Sequence, residues 1–194
     1  MKTEDPMPPR AVLIGAPGCG KSVIGRRLSR ALGVKVLDTD AEIERQAGKT
    51  ITEIFATEGE PAFRALEEEV VAAALAEHEG ILSLGGGAVL SERTQEALRG
   101  HTVVWLQISA AEGVRRTSRR THRPILAGEN PDERYRQLLS ERTPIYRSLA
   151  TLRVRAEGRP TSSIVRELER RLTAKGTAAV AETEAEQNPT QEQA

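Results

Sequence analysis

The chain has 194 residues, 38% of them hydrophobic, with 28 basic and 28 acidic side chains. That length buries one sizeable core and argues for a single domain, and the balanced charge offers no net field to nucleic acid or an anionic membrane, so any positive site is local. Cys19 is the single cysteine and can close no intrachain disulfide, the opening MKTEDPMPPR has no apolar signal region, and no apolar run nears the roughly 20 residues that span a bilayer. The expectation is a cytoplasmic protein acting on a small molecule.

Residues 1–9 carry Pro6, Pro8 and Pro9 and read as a disordered tail. The first strand is AVLIG, residues 11–15, and it runs into GAPGCGKS, Gly15 to Ser22. This segment matches G-x-x-x-x-G-K-[ST] with a predicted strand before it and a helical pattern, Lys21 to Leu32, after it. Its glycines let backbone N–H groups turn around phosphate oxygens at a helix N-terminus, where the dipole also favours negative charge. In that role Lys21 reaches the β- and γ-phosphates and Ser22 ligates magnesium. A chance glycine-rich turn is the competing reading, and an eight-residue match in the right context weighs against it. Cys19 occupies an unspecified position of the loop; a thiol at a helix N-terminus can gain reactivity, but a small filler residue is the simpler reading.

The second strand, VKVLD (34–38), ends in LDTDAEIE. Ligands of open α/β sheets collect outside the carboxyl ends of strands, so Asp38 and Asp40, on an extended segment, are expected to face the same crevice as Lys21 and Ser22. One of them could instead cap a helix beginning near Ala41, but a cap needs only one. A helical pattern from Pro61 to Glu77 leads to the third strand, GILSL (80–84), which runs into Gly85, Gly86 and Gly87. Where many phosphate-binding proteins end this strand in a magnesium-holding aspartate, the chain has Ser83.

TVVWLQI (102–108) is the fourth strand, with Trp105 in the core, and a helix is expected over Ala110 to Thr117. Residues 115–133, RRTSRRTHRPILAGENPDE, are too polar for a core and are broken by Pro124, Gly128 and Pro131, which marks an exposed loop. A helix over Asp132 to Leu149 and a strand at TLRVRA (151–156) follow. From about Thr173 to Ala194 the chain is Ala, Glu, Gln and Thr with almost no large apolar residue, and reads as disordered. His78, His101 and His122 show no metal spacing, and the first two read as ordinary surface positions. Strands alternating with helices at this spacing argue for a parallel sheet covered on both faces.

GAPGCGKS, LDTDAEIE, ITEIFATEGEPAFRALEEEVV, ILSLGGGAVL, THRPIL and ERTPIYRSLA, in this order, resemble shikimate kinase from about Ala11 to about Leu172. The phosphate loop alone is widespread; the combination of D-T-D, F-R-x-x-E, G-G-G, R-P-x-L and R-x-P-x-Y is specific. The resemblance implies a P-loop, nucleoside-monophosphate-kinase-like three-layer α/β fold over residues 10–172, with a five-stranded parallel sheet, helices on both faces and a mobile lid at about 115–131. It implies transfer of the γ-phosphate of ATP, with Mg2+, to the 3-hydroxyl of shikimate, a step of chorismate and aromatic amino acid biosynthesis. The expected state is a monomer, with shikimate the partner and neither nucleic acid nor membrane.

In the resemblance Asp40 binds the ring hydroxyls and orients or accepts the proton of the attacking one, and Asp38 organises magnesium through water. Gly86 presents its backbone N–H to shikimate, its neighbours removing any Cβ from the approach. Arg64 and Arg142 match the positions that grip the carboxylate, as planar forks suited to two oxygens; Phe55 and Phe63 resemble the apolar wall beside them. Gly18, Cys19, Gly20, Lys21, Ser22 and Val23 line the nucleotide phosphates, although Val23 stands where a hydroxyl is common, which removes one contact. Arg123 matches the lid arginine that offsets charge in the transition state, Arg116 a residue that stacks on adenine, and Arg159, near EGRPTS, a residue that completes the adenine pocket. Two other readings compete: another small-metabolite kinase such as a gluconate kinase, and a nucleotide-dependent switch or regulatory ATPase.

Overall fold

A computed structural model describes residues 9–118 and 130–187, with side chains up to residue 174. Its strands are β1 (Ala11–Ile14), β2 (Val36–Asp38), β3 (Ile81–Ser83), β4 (Val103–Gln107) and β5 (Leu152–Arg155), all parallel in the order β2-β3-β1-β4-β5. Helix α1 (Lys21–Leu32) joins β1 to β2, and α2 (Thr39–Ala47), α3 (Ile51–Thr57) and α4 (Gly59–Glu77) lead to β3. A 3-10 turn (Ala88–Leu90) and α5 (Glu92–Ala97) lead to β4, α6 (Ala110–Thr117) and α7 (Pro131–Leu149) to β5, and α8 (Thr161–Gln187) follows.

Strand β1 is buried along its whole length, as an unbroken apolar run between two covered faces should be. Alternate side chains go to opposite faces. Val12 and Ile14 pack with Val71 and Leu75 of α4 and with Tyr135 and Tyr146 of α7. Ala11 and Leu13 pack with Ile24 and Leu28 of α1 and with Ile164 and Leu168 of α8. These two clusters make the three layers, and a third joins α2, α3 and α4 through Ile43, Ile54, Phe63 and Val70. At the edge β5 exposes Arg153 and Arg155 beside buried Val154, charges that discourage a further strand from adding there. The chain leaves β1 for one edge of the sheet and β4 for the other, so the strand order reverses beside β1 and opens a crevice outside its carboxyl end.

Three elements differ from the sequence reading. Helix α2 starts at Thr39, ahead of Ala41, because the Asp38 side chain caps it by accepting from the Asp40 amide. Helix α3 is too short for a hydrophobic period to show; its sign is the capping box in which Thr50 and Glu53 satisfy each other's amides. Helix α8 continues past Thr173 to Gln187. Leu172 is the last buried residue among those whose side chains are described, and an Ala- and Glu-rich composition with almost no large apolar residue still supports a helix. The expected N-terminal tail, apart from Pro9, the expected lid between residues 119 and 129, and residues 188–194 lie outside the described residues.

His78 and His101 are half-buried rather than surface side chains, each with one ring nitrogen enclosed and without a hydrogen-bond partner. Burial lowers the His101 pKa, which keeps that ring neutral.

Candidate active site

The phosphate loop follows β1. Gly20 adopts a φ of 101° as it caps α1, a left-handed conformation that glycine enters without a Cβ penalty. Gly18, at φ 81°, passes so close to α6 that a Cβ would meet Thr117 at 3.1 Å. Each carbonyl from Gly15 to Gly18 has a donor. Lys21 Nζ reaches those of Gly15 (2.7 Å) and Ala16 (3.4 Å), Tyr135 Oη that of Pro17 (2.5 Å), and Arg116 Nη1 that of Gly18 (3.3 Å). In a planar trans peptide the N–H points opposite to the C=O. Tying the carbonyls therefore sets where the amides face, and amides at a helix N-terminus are what a polyphosphate binds.

Asp38 divides its oxygens between two tasks. Oδ1 caps α2, while Oδ2 accepts from Ser22 Oγ at 2.6 Å and from Ser83 Oγ at 3.2 Å. Ser83, paired with Asp38 in the β2–β3 register, thus holds a carboxylate borrowed from the neighbouring strand. The donors are a hydroxyl and a carboxylate, and the described residues contain no cluster of three or more His, Cys, Asp or Glu. Two hard oxygens and no cage suit Mg2+, which keeps most of its waters and takes its other ligands from phosphate. Asp40 is not on an extended segment as expected; it lies in the first turn of α2. It nevertheless lines the same cavity as Lys21, Ser22, Asp38, Ser83 and Gly86, of about 440 Å³.

The glycine turn after β3 is enclosed by charge. A Cβ on Gly85 would collide with Asp40 Oδ1 and would lie 2.7 Å from Glu67 Oε1, and one on Gly87 would lie 2.6 Å from Arg64 Nη1. The buried Thr39 hydroxyl accepts from the Gly85 amide at 3.0 Å and anchors the turn to α2. Arg64 donates to Glu67 (2.5 Å) and Glu60 (3.0 Å) and packs 5.2 Å over the ring of buried Phe63, which touches Phe55. Arg142, only 6% exposed, donates to the Gly86 carbonyl at 2.6 Å. Its Nε is enclosed with no protein partner, so a buried cation has hydrogen-bonding capacity in hand. The Tyr146 hydroxyl donates to the same carbonyl at 3.0 Å, and burial pushes its pKa up to about 12, so it keeps its proton.

Glu67 is the residue the sequence reading passed over. It is 3% exposed, and burial raises its pKa more than the adjacent Arg64 lowers it, with Asp40 adding to the rise. Its only signal is the E of F-R-x-x-E, three residues after Arg64 on one helix face.

The nucleotide-base end is less complete. Arg116 lines the cavity and is held by Glu112 (2.5 Å) and by the Gly18 and Ala156 carbonyls. Arg159, expected to complete the adenine pocket, binds Glu167 at 2.8 Å and Ser163 on α8; Thr161 is the α8 residue that lines the cavity. Cys19 is buried, with Lys21 Nζ 3.8 Å from its sulfur, and Val23 lines the cavity as an exposed apolar side chain. Arg123 lies outside the described residues. A second cavity, of about 450 Å³, sits by Gln95, His101 and Thr151 at the strands' amino ends, without comparable charge convergence.

A family model described as shikimate kinase matches residues 17–173. The shikimate kinase of Mycobacterium avium (strain 104) is 61% identical over 168 residues, covering 87% of this chain and 96% of that one. Among solved structures, shikimate kinase from Acinetobacter baumannii in complex with shikimate superposes with a TM-score of 0.83 at 33% identity, over 88% of this chain and 96% of that one. A gluconokinase from Sinorhizobium meliloti 1021 has a TM-score of 0.55 at 18% identity, over 91% of this chain and 98% of that one, a likeness of fold alone.

Proposed function

The chain belongs to the shikimate kinase family, and on that premise we propose that its cavity is where the γ-phosphoryl group of ATP passes to the 3-hydroxyl of shikimate. It is an ATP- and Mg2+-dependent transferase of the shikimate pathway. The observation that carries the assignment of residues is the ring of Asp40, Arg64, Glu67 and Arg142 around the glycine turn, beside a phosphate loop. Hydroxyls and a carboxylate on one small ring call for such a mixture: an acidic acceptor for the former and planar cations for the latter.

In this reading Asp40 orients the attacking hydroxyl and takes its proton. Arg64 and Arg142 hold the carboxylate, and Glu67 keeps the Arg64 fork aimed while limiting the buried positive charge. The Gly86 amide faces the substrate. Lys21 and the loop amides of Gly18, Cys19, Gly20, Ser22 and Val23 hold the phosphates, and Arg116 flanks the adenine. Ser22 and, through water, Asp38 hold the metal, which when bound neutralises charge on the transferring phosphates. Arg123 is the lid cation that meets the charge spread over the γ-phosphoryl oxygens. Arg159, tied to Glu167, is assigned to the edge of the adenine pocket. Residues 10–172 are the catalytic unit. A cytoplasmic monomer belongs to the same reading: no described helix is long and apolar enough to cross a membrane, and one chain supplies every group named.

Coupled ADP release decides it. ADP formation that depends on shikimate is expected; equal release without an acceptor would mean an ATPase or switch, and release driven by gluconate would move the protein to another metabolite.

A further inference from the structure

Helix α7 touches both halves of the cavity with hydroxyl groups. Tyr135, fully buried, donates to the Pro17 carbonyl in the phosphate loop. Tyr146, 1% exposed, donates to the Gly86 carbonyl in the glycine turn. The two lie eleven residues apart, about three helical turns, so they project from one face with roughly 16 Å between them along the axis. Leu138 and Arg142 complete that buried face.

Both ties are built in. The Tyr135 ring occupies the space a Cβ on Gly113 of α6 would fill, and the Tyr146 ring packs at a tilt against Trp105 of β4 with centroids 5.9 Å apart. The two loops also run close together, near enough that a Cβ on Gly86 would lie 3.4 Å from the Pro17 ring. A closed path therefore runs from α7 through Tyr135 and Pro17 to Gly86, and back through Tyr146.

We propose that Tyr135 and Tyr146 are positioning residues that make α7 a strut, fixing the phosphate-donor loop and the acceptor turn at the separation in-line transfer requires. Neither hydroxyl touches a reacting atom. Tyr135 sets the direction of the peptide between Pro17 and Gly18, and Tyr146 shares with Arg142 the peptide between Gly86 and Gly87. Misplacing a reactant by about 1 Å can cost on the order of 100-fold in rate, so a strut acts on kcat as well as on binding. The inference rests on the shikimate kinase reading of the cavity.

Tyr135→Phe and Tyr146→Phe keep each ring in its niche and remove only a hydroxyl. Tyr135→Phe is expected to raise the KM for ATP roughly 3- to 10-fold with that for shikimate little changed, and Tyr146→Phe to do the reverse, the size expected for one hydrogen bond. Both should lower kcat. Breaking either tie disconnects the strut, so the double variant should show a kcat close to the lower of the two singles rather than the product of their effects. Leu138→Val, on the same face, is the packing control and should lower the melting temperature without separating the two KM values. If the tyrosine variants lowered only the melting temperature, moved both KM values alike, or multiplied fully in kcat, the strut would be refuted. A wild-type enzyme with no shikimate-dependent ADP release would instead remove the reading beneath it.

Discussion

The two halves of the cavity are built on opposite principles. The phosphate side comes from one contiguous segment, Gly15 to Ser22, whose carbonyls from Gly15 to Gly18 are tied back, that of Ala16 also by the Cys19 amide, and this fixes the direction of the peptides between them. The side proposed to hold the acceptor gathers Asp40 from α2 and Gly86 after β3 at the cavity wall, backed around the glycine turn by Arg64 and Glu67 from α4 and by Arg142 and Tyr146 from α7. A polyphosphate carries its charge on its outside, and backbone dipoles on one loop can meet it. A small ring with one carboxylate must be recognised in a partly buried site by charged side chains, and buried charges persist only when paired. Elements distant in sequence have to supply both partners. The first half is therefore local and easily lost by a single change; the second is distributed and degrades by degrees.

The sharpest break of that contrast is expected at the phosphate side. Lys21→Ala should lower kcat/KM for ATP about 1000-fold, with Ser22→Ala acting in the same direction through the metal, while circular dichroism stays that of the wild type. Near-normal turnover in either variant would remove the loop from the mechanism. Arg123→Ala should follow closely, its loss falling on kcat by roughly 2.7 to 4 kcal/mol, since in its proposed role it meets charge that redistributes over the phosphoryl oxygens during transfer. A change confined to the shikimate KM would place it with the acceptor groups instead.

On the acceptor side the losses should be smaller and fall on binding. Arg142→Ala and Arg64→Ala are expected to raise the shikimate KM by roughly 10- to 100-fold, the range for a hydrogen bond to a charged group, with kcat less affected because the carboxylate is unchanged by the reaction. Arg64→Ala should also lower the melting temperature, because it leaves Glu67 buried beside Asp40 without its cation. An unaltered shikimate KM in either case would detach that arginine from the substrate.

Glu67 sharpens the comparison through pH. Its native pKa is raised above the ordinary 4.5, so the folded chain keeps this proton after the unfolded chain has released it. Stability should fall as pH rises from about 4.5 through the raised value, and Glu67→Gln should flatten that slope. Melting temperatures of both proteins across this range check it; parallel curves would show that Glu67 ionises normally. The smallest effect belongs to the far end of α8. Removing residues after Lys175 should change stability by less than about 0.5 kcal/mol and leave kinetics alone, since the segment carries almost no large apolar residue to bury. A large fall in melting temperature would mean that this helical extension docks.

Strands β1, β3 and β4 were legible because each is a short apolar run whose burial follows from its composition, and helices α1 and α6 because glycine, serine and charge mark their ends. The phosphate loop was legible for the same local reason. What the sequence hid was long-range pairing. A glutamate amid other acidic residues on α4 reads as a solvated face, and only its meeting with Arg64 and Asp40 across the glycine turn reveals Glu67 as core. Arg64 and Arg142 could be singled out only by resemblance. Arg159 shows how little a loop arginine reveals of its partner in sequence, since Glu167, which it meets at 2.8 Å, lies eight residues on. Tyr135 carried no sequence signal and Tyr146 only its place at the end of R-x-P-x-Y, since a hydroxyl aimed at a carbonyl leaves no periodic trace.

The divided carboxylate of Asp38 bears on how this protein can evolve. As a helix cap, asparagine would serve about as well as aspartate, so a lineage selected for folding alone would drift between the two at this position. The oxygen toward Ser22 and Ser83 is different: an amide nitrogen there would confront two hydroxyls that now donate to it. Drift to asparagine is thus a reporter of relaxed selection on phosphoryl transfer, readable while the fold itself remains intact.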